Sequence, residues 1–348
     1  MRNRTLTATP AAPGTEEEVS PALPLPRGPL SAAIVTALAG NPGARHRLPT
    51  DVTGSHAYGD DVQLALQICY ELHYRGFAGV DPDWEWHPAL LRTRAALEGR
   101  LLSALRADVS EGDEVEDVEG VLDDLLVEPV NGGGVSHWLR DEGTWWQLRE
   151  YLVHRSIYHL KEADPHAWVI PRLRGQAKAA LVAVEFDEFG GGRYERMHSR
   201  LYAELLASAG LHAGYLHYLE HVPPQAFAPV NLMSLFGLHR GLRGALVGHF
   251  AAAEITTAPS AMRIVRALER LGAPSGCLPF FTEHVEADAV HEQVVRREVI
   301  GDLLEREPWL AADVVFGVRA TELLESHLAE HLLSHWRSGE SSLRLPLR

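Results

Sequence analysis

One short run, from His284 to His291, carries the side chains whose chemistry is easiest to state. His284, Asp288 and His291 stand at positions i, i+4 and i+7, which lie on one face of an α-helix over two turns. Two imidazoles and a carboxylate are suitable ligands for iron, manganese or zinc. Apolar residues fill the intervening positions, so a metal ion would offset the cost of burying three ionisable groups. A hydrated helix face with ordinary hydrogen-bonded histidines is the alternative that this run leaves open.

A second run contains Glu195 and His198 as a Glu-x-x-His pair, with Glu188 seven residues before Glu195. Carboxylate-bridged diiron sites use such an i, i+3 pair to deliver an oxygen and a nitrogen ligand from one helix. Glu188 shares that face only if the helix continues through Gly190–Gly192, and three glycines cost roughly 2–3 kcal/mol relative to alanines. The glycines therefore indicate either a break or a close approach by another group.

Glu162 lies at the end of an apolar-periodic helix, shortly before Pro165. A carboxylate at a helix C-terminus opposes the helix dipole, so another interaction is needed to favour it there. A metal ion is one such interaction. An exposed polar residue at a frayed helix end is the other interpretation of Glu162 taken alone.

Taken in order, these three segments resemble the ligand pattern of the haem-oxygenase-like diiron oxidases and oxygenases, over roughly residues 140–300. The resemblance implies a cofactor of two Fe(II) ions, with O2 as cosubstrate. It implies seven metal ligands: Glu162, Glu188, Glu195, His198, His284, Asp288 and His291.

Glu188 also matches an extra carboxylate of the N-oxygenating members, which implies a catalytic role for it. The resemblance thus favours N-oxygenation of an amine or guanidine on an amino-acid-like natural-product precursor. Desaturation or C–C cleavage of an aliphatic amino or fatty acid is the alternative with the same cofactor. A non-catalytic metal-binding helical protein is the alternative from another class.

Helical periodicity extends over most of the chain, including about 61–76, 88–106, 142–164, 173–188, 192–209, 226–236, 240–256, 260–271, 278–305 and 309–336. We therefore predict an all-α protein, and the resemblance specifies a haem-oxygenase-like helical bundle with extra N-terminal helices. The expected divisions are a disordered or extended lead (1–50), an N-terminal helical region (51–135), the diiron domain (136–338) and a tail (339–348).

The composition restricts the partners. The formal net charge of −15 argues against nucleic acid and anionic membrane surfaces, and no apolar run is long enough to span a bilayer. Two cysteines suit a reducing cytoplasm. We expect a small-molecule amine or amino-acid substrate, O2, an electron donor and a second copy in a homodimer.

Two further clusters compete for a role. His327, His331 and His335 recur at helical spacing near the chain end, but no matching carboxylate motif accompanies them, which favours a surface or interface stripe. Glu254, near His249, is expected either to line a pocket or to be a hydrogen-bonded core carboxylate. A haem site would need one proximal histidine and an open apolar slot, and the carboxylates and imidazoles favour non-haem metal instead.

Overall fold

The computed structural model describes residues 20–109, 117–127 and 132–347, and within the last range the side chains of 286–289 are not described. The described residues are helical and contain no strand, which confirms the all-α prediction. The helices are α1 (Pro29–Leu38), α2 (Asp60–Glu71), α3 (Pro88–Val109), α4 (Val118–Leu126), α5 (Val135–Asp141), α6 (Trp145–His159), α7 (Asp164–Ala167), α8 (Gly175–Glu188), α9 (His198–Ser208), α10 (Pro224–Leu238), α11 (Arg243–Arg270), α12 (Pro279–Val294), α13 (Gly301–Arg306) and α14 (Ala311–Arg337).

The N-terminal helices pack onto the bundle. Helix α1 lies inside residues 1–50, which the sequence analysis expected to be a disordered or extended lead. This segment is helical because Leu30, Ile34 and Leu38 recur at helical spacing and bury one face against α2. Helix α2 packs in turn against α10 and α3. Residues 1–19 of the predicted lead lie outside the described residues.

Helix α11 is the central element and packs against α12, α14 and α5. The sequence predicts two helices here, over 240–256 and 260–271, but α11 continues through Pro259. An interior proline removes one backbone hydrogen bond and costs about 3 kcal/mol. Packing of α11 against its neighbours offsets that cost. Local sequence patterns carry no information about such tertiary packing. Helix α12 continues into a π-helical segment, Val295–Ile300.

Two glycines let α11 and α14 approach closely. A Cβ on Gly248 would overlap the carbonyl of Val314, and a Cβ on Gly317 would overlap the carbonyl of Ala245. The contact is thus reciprocal, with each backbone resting on the glycine of the other helix. None of the described helices is long and apolar enough to cross a bilayer.

We predict that G317A lowers the free energy of unfolding by at least about 2 kcal/mol, because the helices must separate to admit a methyl group. Gly99 provides a matched control, since it is exposed within α3 and a Cβ there meets nothing within 4 Å. G99A should raise stability by about 0.5–1 kcal/mol. Urea denaturation measures both changes, and a neutral G317A would contradict the close packing.

Candidate metal centre

Four buried side chains from separate segments converge at one point of the bundle. They are Glu162 after α6, Glu188 at the end of α8, His198 at the start of α9 and His284 on α12. One ligand atom from each lies within 4.8 Å of the others. No two of these residues lie on the same helix, so tertiary packing is what brings the four side chains together.

A second buried group lies beside the first and shares one member with it. Glu188, Glu254 on α11 and His291 on α12 also place one ligand atom each within 4.8 Å of one another. His291 Nδ1 lies 3.2 Å from Glu254 Oε2 and 3.6 Å from Glu188 Oε1. Glu188 therefore joins two adjacent clusters of nitrogen and oxygen donors.

Two histidines are oriented as ligands rather than as ordinary hydrogen-bond donors. His284 Nδ1 lies 2.7 Å from the carbonyl of Phe280 and donates to it, which leaves the lone pair on Nε2, 3.7 Å from Glu162 Oε1. His198 Nδ1 is 2.8 Å from Glu188 Oε2, yet the angles are not those of a hydrogen bond. Fixing one ring nitrogen on a backbone carbonyl is how metal-binding histidines are commonly held.

Neighbouring groups hold Glu162 in place. Burial acts to raise the pKa of its carboxyl, but the imidazole of His159, 2.9 Å away, outweighs burial and holds that pKa well below its usual range. The preceding Lys161 is fully buried against Glu71 of α2 at 3.1 Å and lies over the Tyr74 ring. The N-terminal helices thus anchor the segment that carries Glu162.

The electrostatics of this region favour a cation. Glu185 is buried on α8, and neither of its carboxyl oxygens has a hydrogen-bond partner among the described residues. Burial and then the charges of Glu188 and Glu254 raise the pKa of Glu185 well above its usual range. Clustered carboxylates and imidazoles, together with a carboxyl that no described protein group satisfies, fit a bound metal ion, and this donor set suits iron.

A pH prediction follows for the metal-free protein. Because the pKa of Glu185 is raised on folding, the folded chain binds more protons than the unfolded chain above about pH 4.5, the ordinary value for this carboxyl. Its contribution to stability is therefore lost as pH rises from there. The lowered pKa of Glu162 makes stability depend on pH only below about pH 4.5, the ordinary value for this carboxyl. The advantage in stability of E185Q over wild type should grow between about pH 5 and pH 8.

Thermal unfolding of both metal-free proteins across this range measures the difference. Titrating groups that do not interact with Glu185 contribute equally to both proteins and cancel, so the difference reports Glu185 together with its neighbours Glu188 and Glu254. A difference that does not change with pH would contradict the raised pKa of Glu185.

One sequence-predicted ligand, Glu195, lies outside these groups. Glu195 is exposed in a 3-10 turn, Tyr194–Arg196, because Gly190, Gly191 and Gly192 all adopt positive φ and end α8 at Glu188. Of the two possibilities that the sequence left open at the glycines, the structure shows a break, so Glu188, Glu195 and His198 do not share one helical face. The backbone of Asp288 lies on α12 between His284 and His291, but its side chain lies outside the described part of the chain.

The structure brings two further carboxylates to the metal centre that the sequence analysis did not predict as ligands. Glu254, left open between pocket and core, belongs to the second group. Glu185 was not singled out, although its place one helical turn before Glu188 on a buried face was a usable signal. His331 Nε2 and His154 Nε2 instead bind the C-terminal segment, at Ser342 O (2.8 Å) and Ser342 Oγ (2.9 Å).

A cavity of about 320 Å³ adjoins both groups. Glu162, Glu188, Glu254 and His284 form part of its wall, and Tyr158, His166 and His249 form another part. Apolar lining comes from Phe250, Phe280, Phe281 and Ile264. The space is large enough for a small organic molecule beside the donor groups.

A known protein family covers the part of the chain that carries both donor groups. Residues 149–326, just over half of the chain, match the family described as iron-containing redox enzyme. The chain belongs to this family. Membership gives the bundle its haem-oxygenase-like architecture and makes the protein an iron-containing redox enzyme. All members of both donor groups lie within the matched stretch.

A nitrosourea synthase from Streptomyces achromogenes subsp. streptozoticus is a relative within reach of sequence comparison. It is 24% identical over 177 residues, which make up 51% of this chain and 38% of that protein. The match therefore spans well under half of the relative's length.

Proposed function

We propose that this protein is a non-haem diiron oxygenase that uses O2 to N-oxygenate an amine or guanidine of an amino-acid-like natural-product precursor. The observation that supports it most is the sharing of Glu188 by two adjacent donor groups. A carboxylate has two oxygens, so it can bind two metal ions at once. Two separate groups without a common member would not suggest a pair.

In this proposal, Glu162, His198 and His284 hold one iron and Glu254 and His291 hold the other, with Glu188 between them. Asp288 is kept as a proposed ligand of the pair on the resemblance, because it lies on α12 between His284 and His291. These nitrogen and oxygen donors suit iron, and the carboxylates offset its charge.

Bound iron would supply the electrons that activate O2. The residues of the chain do the rest: His159 orients Glu162, the phenylalanines of the cavity exclude water, and the cavity holds the substrate nitrogen near both metal positions. Forming an N–O bond with one oxygen atom of O2 reduces the other atom to water. That balance needs two electrons and two protons, so an electron donor is part of the proposal.

Nitrogen is favoured over carbon as the site of oxidation for two reasons. A nitrosourea carries a nitroso group on nitrogen, so the name of the relative implies formation of an N–O bond. The cavity wall also offers the neutral imidazole of His249, whose pKa burial lowers to about 4 and which suits a ligand with N–H groups. A homodimer remains part of the proposal, with the N-terminal helices and α14 as candidate contact surfaces.

We propose that Glu195 joins the ligands when metal binds, because it precedes His198 by three residues and three glycines permit the intervening turn to move. E195A should then bind iron more weakly and retain fewer than two equivalents after desalting. Because Glu195 is exposed, E195A should leave the stability of the metal-free protein within about 0.5 kcal/mol of wild type.

Exposed Glu305 provides the matched control, and E305A should keep both iron ions. Iron analysis after anaerobic loading and desalting measures the content of each protein. Full iron content in E195A would show that Glu195 stays outside the site.

The proposed function is tested by anaerobic Fe(II) loading followed by O2 and a panel of amines, guanidines, amino acids and fatty acids. The expected result is O2 consumption that depends on an amine or guanidine, with a product that carries oxygen on nitrogen by mass spectrometry. Alkene or cleaved products would identify the desaturase or lyase alternative instead. Stable iron uptake with no substrate-dependent O2 consumption would identify a metal-binding protein.

A further inference from the structure

His249 is a buried polar group that neither donor group uses. It lies on α11, is 2% exposed, and forms part of the cavity wall. Its Nδ1 is 2.8 Å from Thr321 Oγ1 on α14, and its Nε2 has no hydrogen-bond partner among the described residues. A buried nitrogen left without a partner costs about 1–3 kcal/mol, so its retention needs an explanation.

The hydrogen bonds of Thr321 determine which ring nitrogen of His249 carries the proton. The Thr321 hydroxyl donates its one hydrogen to the carbonyl of Gly317, 2.7 Å away. It must therefore accept from His249, so Nδ1 bears the hydrogen and Nε2 presents a lone pair. The reciprocal glycine contact between α11 and α14 keeps Thr321 within reach of His249.

The surroundings keep this imidazole an acceptor. Burial lowers the pKa of His249 to about 4, so the ring is neutral at neutral pH. The nearby Glu325 is already occupied, because Arg155 donates to both of its oxygens at 2.7 and 2.6 Å. His166, whose ring centroid lies 5.2 Å from that of His249, also has an Nε2 without a partner.

We propose that His249 Nε2 accepts a hydrogen bond from an N–H group of the substrate and thereby selects ligands with a nitrogen donor, such as guanidines, over ligands of equal charge without one. Thr321 is the positioning residue, since it fixes the tautomer. This assignment rests on the proposed function for the identity of the substrate nitrogen, but the binding step needs neither O2 nor turnover.

The test is anaerobic binding to the Fe(II)-loaded protein, measured by calorimetry with two monocations. n-Butylguanidinium has N–H donors, and n-butyltrimethylammonium has the same charge and none. H249F keeps a ring but removes the acceptor, and should weaken n-butylguanidinium binding by about 10-fold, the scale of one buried hydrogen bond. Binding of n-butyltrimethylammonium should stay within about twofold of wild type.

Three further variants separate a specific role from a packing role. H249Q can place an acceptor near the position of Nε2 and should keep more n-butylguanidinium affinity than H249N, which reaches only toward Thr321. T321V releases the tautomer and should reduce the preference for n-butylguanidinium while leaving the iron content unchanged. Equal losses for both cations in H249F, or a wild-type protein that shows no preference between them, would overturn the assignment whether or not the enzyme oxygenates nitrogen.

Discussion

E188A is expected to abolish substrate-dependent O2 consumption, with a loss of at least about 100-fold, and to retain one of two iron ions. The reason is the position of Glu188 in both donor groups. Without it, the first group keeps three of its four observed donors, Glu162, His198 and His284, whereas the second keeps only Glu254 and His291 of its three, so iron should be lost from the second position on desalting. In the proposed reaction, two iron ions each supply one of the two electrons that reduce O2. A protein with one iron lacks the second of these electron sources.

Iron analysis and O2-electrode assays on the same preparations measure both effects. E188D is the informative companion, because it keeps the charge but shortens the side chain, and it should show partial iron loss. Two iron ions together with wild-type turnover in E188A would remove Glu188 from the site and with it the reason for pairing the two groups.

H284A should cause a comparable loss by removing iron from the other position. His284 is buried, its Nδ1 is fixed on the Phe280 carbonyl, and its Nε2 is directed at Glu162. Its removal leaves one imidazole, His198, beside two carboxylates, Glu162 and the shared Glu188, so this position loses one of its two nitrogen ligands. We expect no more than one bound iron and at least about a 100-fold loss of O2 consumption.

His335 supplies a control with matched local geometry. Its Nδ1 also donates to a carbonyl four residues earlier, at 2.7 Å from His331 O, but it lies outside both donor groups. H335A should therefore keep full iron content and activity. If H335A lost iron and H284A did not, the metal would belong to the histidine stripe of α14 instead.

The sequence predicted the site best where one helix carries it. His284 and His291 lie seven residues apart, and helical geometry alone places them on one side of α12. Glu162 and His198 were identified by resemblance, and the structure brings both to His284. The all-α class was evident for the same reason, since periodic apolar residues report local helical structure.

The sequence failed where tertiary contacts or backbone breaks decide the outcome. Glu195 was placed with His198 on the assumption of a continuous helix, but Glu195 lies in a separate 3-10 turn and α9 begins only at His198, after Met197 leaves the helical conformation. Glu254 was left open between pocket and core, because only the packing of α11 against α12 brings it to His291. Similarly, Pro259 indicated a break that close packing of α11 prevents.

Crystallography of the Fe(II)-loaded protein with data collected at the iron absorption edge measures the central claim directly. We predict two anomalous peaks, about 3.5–4 Å apart, with one oxygen of Glu188 directed at each. One peak should lie beside Glu162, His198 and His284, and the other beside Glu254 and His291. A single peak, or two peaks that Glu188 does not join, would contradict the paired centre.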